Sequence, residues 1–132
     1  MRRRVPGMTL VPGATFDLHE DENGVDYNVL LLADRQRIRD RIARDKPFLV
    51  VGSPECKDYC SINVHLNHPN MLPEERRRRE IEREIKLRFA FEIYARQLAA
   101  GRHFLHEHPR DAVSWKEPFV EALRRHSRVG EV

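Results

Sequence analysis

Two short segments carry the residue types from which covalent or acid–base chemistry is built. In Pro47-Phe48-Leu49-Val50-Val51-Gly52-Ser53-Pro54-Glu55-Cys56 a thiol follows an apolar run, and in His103-Phe104-Leu105-His106-Glu107-His108-Pro109 a carboxylate follows a second one. A thiol attacks as its thiolate, so it needs a lowered pKa, which a loop leading toward a helix N-terminus or the neighbouring Lys57 would supply. Glu55 works against this, because a negative charge beside Cys56 raises the thiol pKa. A carboxyl group that bonds a ring nitrogen and its adjacent amino group supplies both activation and base selectivity. The structural reading of the same residues is a small side chain packed at a strand end for Cys56 and a loop-anchoring carboxylate for Glu107.

The loop after Pro54 also offers a metal alternative, in which Cys56, Cys60, His65 and His68 furnish four ligands to zinc. The Cys-x₃-Cys spacing and the crowding of all four into one loop differ from the usual paired knuckles. His103, His106 and His108 surround Glu107, but strand alternation puts His103 opposite His106 and returns Glu107 to the side of His103, so no three of them converge automatically. Arg76, Arg77, Arg78 and Arg79 read either as a solvated helix turn balanced by Glu74, Glu75 and Glu80 or as a contact for nucleic-acid phosphates. Arg2-Arg3-Arg4 reads as a basic arm that supplements such binding.

These groups are positioned by a βαβ unit. Pro47–Gly52 is a continuous apolar run with β-branched residues, bounded by Pro47 and Gly52, as expected of a strand buried on both faces of a parallel sheet. Pro73 is placed at the first position of a helix reaching about Ala100, with Gly101 as its stop. Its first half is charged; its second carries the stripes Ile81, Ile85, Phe89, Ile93 and Leu87, Phe91, Tyr94, Leu98, which require broad packing against the sheet. His103–His106 is the second strand, and the order strand, helix, strand predicts a right-handed crossover that brings both strand ends to one edge of the sheet. Upstream, Ala14–Leu18 reads as a short strand with Asp17 near its end, and Asp34 to Asp45 as a thin amphipathic helix capped by Asp34. Downstream, Ser114 to Arg125 reads as a helix with Ser114 as cap and Glu117 in capping-box position.

Leu49-Val50-Val51-Gly52-Ser53-Pro54-Glu55-Cys56 resembles the strand and loop that present the catalytic cysteine in cytosine-C5 DNA methyltransferases, where Pro-Pro-Cys is usual. Phe104-Leu105-His106-Glu107-His108-Pro109 is similar to the family's strand ending in Glu-Asn-Val, one crossover helix further on. The run from Lys46 to Trp115 more closely resembles a divergent methyltransferase-like domain of retroelement-type polyproteins. The resemblance implies a small three-layer, mostly parallel α/β sheet of Rossmann-like kind. It implies that Cys56 adds to C6 of an extruded cytosine and that Glu107 stabilises protonation at N3, with S-adenosylmethionine as methyl donor. Asp17 falls where the family places a cofactor-contacting acidic residue. Glu55 for proline, His108-Pro109 for Asn-Val, and the lack of a Phe-x-Gly-x-Gly type loop are departures, and no stretch provides a target-recognition domain. The resemblance thus admits a catalytically degenerate fragment. The rival is a non-catalytic binding or assembly domain of a mobile-element polyprotein, whose remainder would be its partner.

The bulk composition fits these readings without choosing among them. The chain has 132 residues, 40% hydrophobic and 34% charged, with a formal net charge of +3. That length expects one domain: residues 13–126, preceded by a flexible basic arm over 1–12 and followed by a tail over 127–132. A pI near 9.1 permits nucleic-acid contact. Two cysteines in one loop argue against a secreted disulfide framework, and no apolar run approaches a bilayer's thickness, so an intracellular protein, nuclear or cytoplasmic, without a membrane partner is expected.

Overall fold

The computed structural model describes residues 11–16, 24–54 and 71–132. Helix α1 (Leu32–Asp45) is followed by strand β1 (Leu49–Gly52), helix α2 (Pro73–Ala99), strand β2 (His103–His106), a 3₁₀ turn (Val113–Lys116) and helix α3 (Pro118–Arg124). Among the described residues the fold is α/β, with mixed helices and one small parallel sheet of two strands.

The expected βαβ unit is present. β1 and β2 pair in parallel, Leu49 opposite His103 and Gly52 opposite His106. The ladder continues past both ends, with the His103 N–H donating to the Phe48 carbonyl at 3.0 Å and the Glu107 N–H to the Gly52 carbonyl at 2.9 Å. α2 begins with Pro73 at its start, where a missing N–H costs nothing, and stops before Gly101, whose φ of 74° is left-handed. It runs antiparallel to the strands, since Tyr94 meets Gly52 at the end of β1 while Gln97 meets Pro47 at its beginning.

Two apolar clusters share α2. On one flank Leu87, Phe91 and Tyr94 pack with Ala112 and Val120, against Val50 and Phe104 of the sheet. On the other, Phe89 and Ile93 pack with Ile38 and Ile42 of α1 and with Tyr27. The i, i+4 pair in α1 therefore does bury, as its spacing required.

Four local expectations are corrected. β1 is not covered on both faces: Val50 turns inward, but Val51 is 59% exposed and its register partner Leu105 is 50% exposed, because the described helices pack on the Val50 and Phe104 side. Asp34 is not the α1 cap. The helix starts at Leu32, Leu31 caps it without a side-chain bond, and the Asp34 carboxylate reaches back to accept the Asn28 N–H at 2.9 Å. That bond, with Arg37 beside it, holds the Asp34 carboxyl below the usual range. The described part of the Ala14–Leu18 candidate, Ala14–Phe16, is not in a strand; the Phe16 ring instead meets Tyr27 edge-on at 5.1 Å. Ser114 to Arg125 is not one helix, since Pro118 lacks the N–H a continuous helix needs there and starts α3 afresh. Among the described residues no helix is long and apolar enough to cross a membrane.

Candidate functional site

The rim where β1 and β2 end is organised by glycine. Gly52 lies against Tyr94 so closely that a Cβ there would overlap the phenol oxygen. The hydroxyl of Tyr94 thus sits directly beneath the last residue of β1, 2.8 Å from Nδ1 of His106, the last residue of β2. The Phe104 ring stacks on Tyr94 with centroids 4.5 Å apart. Burial raises the Tyr94 pKa and lowers that of His106 to about 4, with the neighbouring His108 adding to the second shift. The phenol therefore stays protonated and the imidazole neutral near pH 7.

His108 continues the inner face two residues on. Its Nδ1 lies 2.6 Å from the Ser114 hydroxyl, and its ring centroid is 5.3 Å from that of His106. Trp115 closes the group, 5.5 Å from His106, with its indole N–H donating to the Pro109 carbonyl at 2.7 Å. Burial lowers the His108 pKa as well. Ser114, read from sequence as a helix cap, is buried because it is the partner of this histidine.

Glu107 points the other way. Exposure alternates along His103, Phe104, Leu105 and His106, and continues so that Glu107 is exposed beside the half-buried His106 and His108. The alternation anticipated for His103, His106 and Glu107 is the one observed. The histidines consequently belong to the support beneath the rim and Glu107 to its open side.

Cys56, Cys60, His65, His68 and Asp17 lie outside the described residues. What the structure places is the end of β1 and Ser53–Pro54 beyond it, leaving on the same edge of the sheet as Glu107. Among the described residues no three His, Cys, Asp or Glu side chains form a metal-binding group. The arginine block opens α2 far from the rim: Arg77 and Arg78 are exposed, and Arg79 pairs with Glu75 at 3.3 Å.

A cleft of about 1150 Å³ runs along β2, between it and the residues beyond α3. Glu107, Arg110, Trp115, Arg124, Arg128 and Glu131 line it. None of the three arginines stood out in the sequence. The available signal was Arg110, three positions after Glu107 in a turn at the same rim; Arg124 and Arg128 required knowledge of where α3 packs.

Comparisons with protein-family models, with curated proteins and with solved structures find no match to this chain.

Proposed function

We propose that this chain is the thiol- and carboxylate-presenting part of a Rossmann-like, cytosine-C5 methyltransferase-like domain that binds nucleic acid and captures a cytosine. The observation that carries the reading is the Glu107 N–H donating to the Gly52 carbonyl at 2.9 Å, which ends two parallel strands at one level. In this reading Cys56, four residues past Gly52, and Glu107 act on the same base.

The chemistry balances without a cofactor. Cys56 gives its proton to solvent, and the thiolate forms a bond to C6 while the C5–C6 π pair shifts through the ring toward N3, where Glu107 donates a proton. The enamine so formed takes a proton from water at C5; loss of the original C5 hydrogen to water, breaking of the S–C6 bond and return of the N3 proton to Glu107 then restore the thiolate, the acid and the aromatic ring with the C5 hydrogen exchanged. Extrusion of the base from its stack precedes this step. S-adenosylmethionine is the methyl donor that the resemblance implies; its acidic candidate Asp17 lies outside the described residues, and no methyl transfer is assigned to them.

The test is exchange of the C5 hydrogen of a cytosine oligonucleotide in deuterated water, followed by mass spectrometry. The intact chain should accelerate exchange, Cys56→Ser should abolish it, and Glu107→Gln should slow it by about 10²-fold or more. No exchange above buffer with the intact chain rejects base capture. A non-catalytic binding or assembly domain is then the reading left, and it is favoured by a specific feature: Val51 and Leu105 are 59% and 50% exposed on the sheet, with Phe48 just before β1 49% exposed.

A further inference from the structure

We propose that the cleft along β2 is a seat for a polynucleotide phosphate on Arg124, flanked by Arg110 and Arg128, and that Glu131 occupies this seat in the free chain. The inference rests on the nucleic-acid reading above and extends it to the backbone on either side of the captured base.

The observation is an ion pair in an unusual place. The Arg124 guanidinium stands 5.3 Å from the centroid of the Trp115 ring, and its Nε donates to the Glu131 carboxylate at 2.6 Å. A second guanidinium nitrogen also contacts that carboxylate. The arginine is therefore held by an aromatic face on one side and by one carboxylate oxygen, Oε1 of Glu131, which both nitrogens contact. A phosphate oxygen offers these nitrogens the same kind of charged acceptor.

The surroundings favour exchange of one anion for the other. Arg128 is fixed at the cleft by Nη1 donating to the Leu98 carbonyl at 2.9 Å, and Arg110 is exposed at the rim end. With Glu131 turned out, three arginines face one acidic side chain, Glu107, in the lining. Glu131 is 68% exposed, and a pair as wet as this is weak, so a phosphate displaces it at small cost. The tail carboxylate then acts as a built-in competitor that sets affinity.

A fluorescein-labelled thymidylate dodecamer is the probe, titrated by anisotropy at two salt concentrations. It holds no cytosine, so the outcome is independent of base capture: loss of C5 exchange would reject that reading while leaving this one, and the reverse also holds. Arg124→Gln and Arg110→Gln should each weaken binding several-fold and reduce the salt slope by about one. Glu131→Gln should tighten it two- to five-fold, about the worth of an exposed ion pair. Circular dichroism and the fluorescence of Trp115, the single tryptophan, report whether each variant folds. Unchanged or weaker binding by Glu131→Gln overturns the proposal, as does an unchanged salt slope in both folded arginine variants. Preferential binding of an oligoglutamate peptide, with none of the dodecamer, overturns it too.

Discussion

The Tyr94 hydroxyl stands 2.8 Å from Nδ1 of His106 and directly beneath Gly52, so one side chain of the crossover helix touches the last residue of both strands. Gly52 is required by this approach rather than by its backbone angles. Gly52→Ala should cost roughly 3 kcal/mol, since overpacking a well-filled site costs about that much. Tyr94→Phe alone should cost about 1 kcal/mol through the lost hydrogen bond. The double variant should be less damaging than the sum of the two, because the phenol oxygen is the atom nearest the added methyl. Urea unfolding of all four proteins gives the cycle, and strict additivity would remove the tight packing from the account.

Acid should loosen the same place. The His106 pKa is about 4 in the folded chain against 6.5 when unfolded, the lowering coming from burial and then from His108. A lowered histidine pKa means that the unfolded state binds the proton more readily. Its contribution is thus fully present above pH 6.5, falls between pH 6.5 and 4, and is gone below. The other groups facing it are the Tyr94 phenol and the aromatic rings of Phe91 and Trp115, none of which ionises in that window. With the partial exposure of the imidazole discounted, about 1–2 kcal/mol should be lost between pH 7.5 and 4.5. His106→Gln should reduce the dependence, leaving the part that His108, lowered by burial in the same direction, contributes, measured by the urea midpoint at each pH.

Gln97 is the fully buried polar side chain that ties the strand starts together. Its amide nitrogen donates to the Pro47 and His103 carbonyls at 3.0 Å each, and its oxygen accepts from Arg102 Nε at 3.0 Å. Gln97→Leu keeps the volume but strands two part-buried acceptors, so a loss of about 1–2 kcal/mol is expected. Amide exchange of His103 and Val50 should rise with it. A change in exchange confined to α1 would contradict the tie.

The docking of α1 on α2 rests on Ile38 and Ile42 and on one charged pair. Arg39 donates from Nε to Glu92 at 2.7 Å and from a terminal nitrogen at 2.9 Å, which holds the Glu92 carboxyl below its usual range. The pair is partly wet, so Glu92→Gln should cost about 0.5–1 kcal/mol and Ile38→Ala about 2–4 kcal/mol. Thermal unfolding of both variants separates them. An equal loss would give the pair a weight that its exposure does not allow.

The βαβ unit could be read from the chain because its signals are local: Pro47 and Gly52 bound one strand, Pro73 and Gly101 bound the helix, and Val50 and Val51 make the centre of the first strand β-branched. Burial of β1 could not be read this way. Val50 and Val51 are equivalent as residues, and only the packing of the described helices on one face makes the first internal and the second exposed. Ser114 failed for a related reason, since serine before a glutamate looks the same whether its hydroxyl caps a helix or bonds a histidine. Glu107 was identified by its place after β2, and its outward face followed from alternation. Helical periodicity places Tyr94 in an apolar stripe and does not distinguish a core tyrosine from one whose hydroxyl ends beneath a strand terminus.

The 27 residues of α2 form a rod about 40 Å long beside four-residue strands of about 13 Å. Tyr94 is level with the rim, so Arg76–Arg79 project roughly 25 Å past it at 1.5 Å per residue. A double helix touching both the rim and that outlying basic turn would have to stretch over about seven base-pair steps. The molecule is in this sense a calliper, with its jaw opening set by the length of one helix.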